Sequence, residues 1–383
     1  MAPLTAPERE ARRLLDLTRS DREAARTFLR GLSVDDQVAL VCELPVGLRA
    51  KLLEVLPHPE AVIPALPEAE LCFVAKAVGL ADAGWILEHA TDEQLQACLD
   101  LDVWRDESLA VDALAGWFDA LADAGEETVV RAARSMDPEL LYLFLRSRIR
   151  AVLKPSDDDW QPPVGSRTLE GQFFFQAIRE GDDLETVGSV LQRLFDGDYW
   201  LYFRMMQALT WEDAAENEEF ARRWRSGRLE DLGFPTWEEA LSIYGFLDPE
   251  QRLRIPAAEP GLSRDGFHLP VYPPKLPVAI DAAHLIFRAA AALGDEERRA
   301  FLFSFVALAN RVAVADRMPL GDAESIPSAI EKAARVASAG LDLLVRHHGE
   351  DAVTLLRRVP LDRLFRVGAS LDRKERPPVA STQ

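Results

Sequence analysis

The chain has 383 residues, 48% of them apolar and 28% charged, and its 64 acidic and 44 basic side chains give a formal net charge of −20. This is the composition of an ordinary globular protein, long enough for two domains or for one elongated array. The charge disfavours a nucleic-acid backbone or an anionic membrane surface as principal partner, because both would repel it.

In chain order, the N-terminus Met1-Ala-Pro-Leu-Thr-Ala-Pro-Glu-Arg-Glu10 has no basic start followed by an apolar core, so no signal peptide is expected. Pro7 to Leu32 reads as two helices, the second capped by Ser20-Asp-Arg-Glu23. From Ser33 to Trp104 one pattern repeats. Breaks at Ser33, Leu44-Pro45, Leu56-Pro57, Leu66-Pro67, Gly79 and Thr91 delimit units of roughly 10 to 13 residues. Ser33-Val-Asp-Asp36 and Thr91-Asp-Glu-Gln94 are N-cap signatures, and Pro45, Pro57 and Pro67 suit a first helical turn, where no N–H partner is missed. Val38, Leu40 and Val41, then Leu48, Leu52, Leu53 and Leu56, recur at helical spacing. A helix of about 12 residues is marginal alone, so such units gain stability by laying apolar stripes on their neighbours in a stacked array. The Leu-Pro breaks resemble the intracellular N-terminal domain of MgtE-type magnesium transporters, a superhelix of short helices, and helical parts of the flagellar switch protein FliG. The resemblance implies the fold; no acidic magnesium ligand of those transporters is matched residue by residue. Cys42, Cys72 and Cys98 lie in this stretch without metal-ligand spacing and read as reduced core thiols.

After Trp104 longer helices are expected: Glu107 to Ala124, Glu126 to Met136, and Pro138 to Lys154 behind an Asp137 cap. Arg146, Arg148 and Arg150 complement the C-terminal end of the last helix dipole, which explains them without an anion site. Pro155 to Ser166 reads as a linker. Its run Asp157-Asp-Asp159 lacks the alternate spacing of a Ca²⁺ loop. Helices resume at about Glu170. The segment Tyr199 to Leu209, with Trp200, Tyr202, Phe203, Met205 and Met206, reads first as core and second as the lining of a pocket for a flat ligand. The helix after it pairs Glu218 with Arg222 and Glu219 with Arg223 at i,i+4, as a stable exposed helix needs.

Arg228-Leu-Glu-Asp-Leu-Gly-Phe-Pro235, Thr236-Trp-Glu-Glu-Ala-Leu-Ser-Ile-Tyr244 and Leu247-Asp-Pro249 resemble the central signature of an uncharacterised bacterial family known as domain of unknown function 6178. Ala309-Asn-Arg-Val-Ala-Val-Ala-Asp316 and Leu364-Phe-Arg-Val-Gly368 resemble its C-terminal part. The resemblance implies one all-helical architecture and carries no chemistry. Between these segments, Arg254 to Val278 holds six prolines with Phe267, His268 and Tyr272. Loops this long are uncommon and usually either functional or disordered, and its aromatic residues argue against pure disorder and for packing along the body. His268 has the chemistry of a general base, but no nucleophile or second acid lies near it in sequence.

Ala279 to Leu371 reads as four or five helices, the longest from about Ala323 to His348 with Pro327 in its first turn. Asn310 falls on an apolar stripe with Phe303, Val306, Ala307 and Val314, so its amide must find a partner. Either it makes a register-fixing hydrogen bond or it joins Arg311 and Asp316 in a polar pocket, although those residues face different ways. His284 reads as a satisfied core histidine. No G-x-x-x-x-G-K-[ST], G-x-G-x-x-G after a strand, G-x-S-x-G, H-E-x-x-H or EF-hand loop occurs, and no apolar run is long enough to span a bilayer.

The expected fold is all-α, an N-terminal superhelical array of short helices plus a C-terminal helical domain. Its divisions are 1–154 array, 155–169 linker, 170–253 central helical region, 254–278 proline-rich ordered loop, 279–371 C-terminal helical domain and 372–383 disordered tail. The expected function is a cytoplasmic, non-enzymatic interaction or regulatory scaffold that binds a protein partner through the array surface. The alternatives are a divalent-cation-responsive regulator, or a small-molecule or enzymatic pocket in the C-terminal half. His268, Tyr272, Asn310, Arg311 and Asp316 are the ligand or partner-binding candidates; no catalytic residue, metal ligand, cofactor or nucleic-acid partner is expected.

Overall fold

The computed structural model describes residues 6–105, 108–157, 159–179, 184–255 and 284–372. Among them are 21 α-helices, three short 3₁₀ turns and two two-stranded antiparallel ribbons, so the fold is all-α. The chain forms two compact units, one comprising Ala11–Arg228 and the other residues 6–10 together with the chain from Leu229 on.

The N-terminal unit begins within α1 (Ala6–Ser20), at Ala11, and continues with α2 (Arg22–Arg30), α3 (Val34–Glu43), α4 (Val46–Leu53), α5 (Pro59–Val62), α6 (Glu68–Val78), α7 (Gly84–Leu87) and α8 (Asp92–Asp102). Of the caps read from sequence, those at Ser33 and Thr91 are formed, whereas α2 is capped by Asp21 in place of Ser20 and Asp137 makes no capping hydrogen bond. Ser33 Oγ accepts from Asp36 N at 3.1 Å, and Thr91 and Gln94 make a reciprocal box at 3.1 and 2.9 Å. The prolines sit differently from expectation. Pro45 and Pro67 are N-caps with extended ψ of 138° and 147°, and Pro59, not Pro57, occupies the first turn of α5. The fixed proline φ suits an extended cap as well as a helical turn, so sequence alone leaves one residue of freedom.

Packing runs largely to the second element along: α4 on α6, α6 on α8, and α8 on α10 (Glu126–Ser135). α10 packs in turn on α12 (Glu185–Gly197), while α9 (Val111–Asp123) covers α7 and α10. Leu52, Val62, Leu71, Val74, Ile86, Leu87, Leu114 and Phe118 are fully buried between these layers. Burial of such side chains contributes about 1.5–3 kcal/mol each, which is what holds helices this short.

The helix expected over Pro138 to Lys154 stops early. α11 covers Pro138–Arg148, and Ile149–Leu153 is strand β3, paired antiparallel with β4 (Phe173–Ala177) from Ile149↔Ala177 to Leu153↔Phe173. β4 stands where a helix was expected to resume. Ile149 and Ala151 are buried around exposed Arg150, and Phe173 and Phe175 are buried around Phe174. A two-residue period buries one face of a ribbon, and it prevails over helix-compatible composition once a partner strand is present. A smaller ribbon pairs β1 (Trp104–Arg105) with β2 (Ser108–Leu109). α12, α13 (Tyr199–Trp211) and α14 (Ala214–Asp231) follow, and the division between the units falls in the last turn of α14.

The C-terminal unit contains α15 (Trp237–Leu241), α16 (Pro249–Leu253), α17 (Leu285–Ala291), α18 (Asp295–Ala315), α19 (Ser325–His348), α20 (Ala352–Arg358) and α21 (Leu361–Asp372). Its axis is α19 crossing α21 at backbone contact. A Cβ on Gly340 would collide with the Leu364 carbonyl, and one on Gly368 would collide with the Val336 carbonyl. Gly349, at φ +67°, ends α19 in the left-handed conformation that glycine adopts without steric cost.

Candidate functional site

In the N-terminal unit an open groove of ≈ 590 Å³ is lined by Arg134, Asp198, Trp200, Leu201, Phe203, Arg204 and Gln207. The local chain explains its shape. A Cβ on Gly197 would come within 2.7 Å of Val130 on α10, so only glycine lets the end of α12 approach this closely. That approach brings Asp198 to α10. Its carboxylate accepts from Arg134 Nε at 2.6 Å and also caps α13 by accepting from Leu201 N at 3.1 Å. The Arg134 guanidinium, aided by the Leu201 N–H, holds the Asp198 carboxyl below the usual carboxylate range.

The expectation that Tyr199 to Leu209 is mainly core holds for one face of α13. Tyr202, Met205 and Met206 are buried. The other face is open: Trp200 is 76% exposed and Trp211, eleven residues on, is 61% exposed, and at helical periodicity these positions nearly coincide. Phe203 lies between Trp200, at a ring separation of 6.2 Å, and Phe173 of β4, edge-on at 5.5 Å. The unexpected ribbon therefore supports the groove. Tyr199 donates its hydroxyl to Glu170 at 2.7 Å beside it. The lining contains apolar rings, an amide and charges.

A second polar cluster in this unit is largely buried. Asp100 has a side chain 3% exposed and takes Arg228 at 2.6 and 3.0 Å, while Asp137 takes the same guanidinium at 2.9 and 2.6 Å. Arg225 stacks over Trp104 at 5.3 Å and donates to the Asp100 carbonyl at 2.8 Å. Burial lowers Arg225 to about 10, against the pull of Asp100. For Arg228 burial acts downward too, but the two carboxylates outweigh it and hold the group above its ordinary value. Sequence reading missed this cluster because its members come from α8, α14 and the cap of α11.

In the C-terminal unit the residues singled out from sequence have separate partners. Asn310, 2% exposed, donates to the Gly233 carbonyl at 3.1 Å, Arg311 pairs with Asp362, and His284 Nε2 lies 3.0 Å from Glu331. Asp316 accepts from Tyr244 Oη at 2.8 Å and Lys332 Nζ at 2.5 Å. These residues do not converge on one another. His268 and Tyr272 lie outside the described residues, as do most of Arg254 to Val278 and the tail. Asp157 accepts from Asp159 N at 3.1 Å, and among the described residues no group of three or more His, Cys, Asp or Glu side chains is placed to hold a metal ion.

The network does bring together four of the segments quoted from this half of the chain. Asn310 bonds Gly233, Arg317 at φ 53° stacks over Trp237 at 4.5 Å, Tyr244 bonds Asp316 and meets Phe365 edge-on at 5.5 Å, and Gly368 crosses Val336. Residues of these signatures are thus tied into one packed core. The class is an all-α protein with an aromatic-lined surface groove and a buried ion-pair cluster in its N-terminal unit. The chain belongs to the Family of unknown function (DUF6178), whose sequence profile it matches over residues 26–376. No curated protein and no solved structure matched it. Among the described residues no helix is long and apolar enough to cross a membrane.

Proposed function

We propose that this protein is a non-enzymatic interaction module that binds a protein partner through the helical surface of its N-terminal unit, centred on the groove beside α13. The observation that carries this reading is the exposure of Trp200 and Trp211 on one face of one helix. Tryptophan left in water on a formed helix forgoes burial worth about 1.5–3 kcal/mol for a large apolar side chain, and tryptophan is the residue type most enriched at binding hot spots. The groove volume of ≈ 590 Å³ falls within the range of about 300–1,000 Å³ typical of ligand sites, which suits a short segment of a partner. Stacking of α4, α6, α8 and α10 supports the superhelical array implied by the Leu-Pro pattern, since arrays of this kind present extended binding surfaces. Action in the cytoplasm is part of the same reading.

The test is site-specific photo-crosslinking in cells, with a benzophenone side chain at position 207 in the groove and, as control, at position 346 in the other unit. A discrete adduct from position 207 alone, abolished by Trp200→Ala, is expected. Equal adducts from both positions, or none from position 207, would sink the reading.

A further inference from the structure

We infer that the segment bound in the α13 groove is acidic, with an apolar side chain seated against Trp200 and Phe203 and an adjacent carboxylate on Arg204. The inference rests on the binding function proposed above and adds the chemistry of the partner. Three charged side chains line the groove: Arg134, Asp198 and Arg204. Asp198 has a partner on each oxygen, Arg134 Nε at 2.6 Å on one and Leu201 N at 3.1 Å on the other. Arg134 has its charge paired with Asp198 and also donates to the Gly197 carbonyl at 3.2 Å. Arg204 is exposed and has no hydrogen bond or ion pair among the described residues. Gln207, one turn further along α13, adds an amide with no bond of its own among them.

A single uncompensated guanidinium next to an open indole is the local opposite of a chain whose net charge is −20. That net charge repels an acidic segment at long range, but at physiological salt the repulsion is screened beyond about 8 Å, whereas a carboxylate on Arg204 makes a charge-assisted contact. A basic segment has the opposite problem, since it would be drawn to the protein as a whole and rejected at the groove. Selectivity for an acidic segment then comes from the groove itself, where contact geometry and not the overall field decides.

The experiment is selection of random twelve-residue peptides displayed on phage against the intact chain, followed by fluorescence anisotropy with the enriched peptides. The expected result is a consensus of one aromatic or aliphatic anchor beside aspartate or glutamate. Binding should weaken about tenfold or more on Trp200→Ala and on Arg204→Glu, and a lysine-for-glutamate version of the peptide should bind Arg204→Glu better than the natural chain. Enriched peptides that need Trp200 yet are neutral or basic, or are indifferent to Arg204→Glu, overturn the acidic partner and leave the groove function standing. Peptides indifferent to Trp200→Ala, or no enrichment at all, overturn both. Each substituted side chain is exposed, and circular dichroism of both variants should match that of the natural chain.

Discussion

Arg134 on α10 and Asp198 at the start of α13 meet at 2.6 Å across 64 residues of chain, and the same carboxylate that takes the guanidinium also caps α13. One side chain thus sets both the start of the helix that carries Trp200 and its position against the neighbouring helix. Asp198→Ala should lower stability by about 1–2 kcal/mol, the loss of a cap with a partly exposed ion pair. Asp198→Asn should keep most of the cap and lose less. Urea unfolding of both variants measures the difference; equal losses would show that the cap contributes little.

Acid sensitivity follows from the same group and from two others. Asp198 is held low by Arg134, Glu297 by bidentate Arg357 at 2.8 and 3.0 Å, and Asp351 by the Thr354 hydroxyl and backbone N–H at the start of α20. A carboxyl whose folded pKa lies below its unfolded value contributes stability above the unfolded value and loses it as pH falls through the folded one. The melting temperature should therefore hold between about pH 7 and 5 and drop below about pH 4, where unfolded carboxylates take up protons first. A flat profile down to pH 3 would contradict the assignment.

The Asp100, Arg228 and Asp137 cluster should behave as a unit. Removing Arg228 leaves Asp100 buried without its counter-ion, so Arg228→Ala should destabilise the N-terminal unit by about 3–5 kcal/mol. Adding Asp100→Asn to Arg228→Ala should recover part of that loss, because the stranded charge is gone. Strictly additive losses in a double-mutant cycle would mean that the pair is not coupled.

Backbone contact between α19 and α21 makes Gly340 and Gly368 the most size-sensitive positions described in the C-terminal unit. Gly340→Ala and Gly368→Ala should each cost about 3 kcal/mol, the upper end for overpacking, because the obstructing atoms are carbonyls that cannot rotate away. Gly227→Ala, where nothing lies within 4 Å of the added carbon, should be neutral or slightly stabilising, since alanine is the better helix former. Thermal shifts of the three variants are the measurement.

The three thiols should be inert in the folded chain. Cys42, Cys72 and Cys98 are all buried, and burial pushes Cys42 and Cys98 well above the ordinary thiol range, with Glu70 adding to the first and Cys72 to the second. The thiolate is the reactive form. A chromogenic disulfide reagent should therefore titrate none of them natively and all three in denaturant; rapid native reaction would reveal local opening of the layers they occupy.

The helical character of the chain was legible because it is written locally. Turn residues, caps and apolar spacing gave α3, α6, α8 and α19 nearly to the residue, and burial of the cysteines followed from their place in those stripes. The β3 and β4 ribbon was not legible. Ile149 to Leu153 and Phe173 to Ala177 each continue an apolar pattern that fits a helix, and only pairing across the intervening loop selects the strand. For the same reason the groove was read as core first. Periodicity says that α13 has a buried face, and not which of its aromatic residues finds no neighbour.

What the sequence determined by itself is therefore the all-α class, the division of the chain into short helices, and the family to which it belongs. The tertiary structure decided which sides of those helices remain in water and which charges are consumed: Asp198 by Arg134, Asp100 by Arg228, Asp316 by Tyr244 and Lys332. The physical reason is range. Helix propensity and capping act within about four residues, whereas exposure and charge pairing depend on contacts between segments that the chain brings together only when it folds.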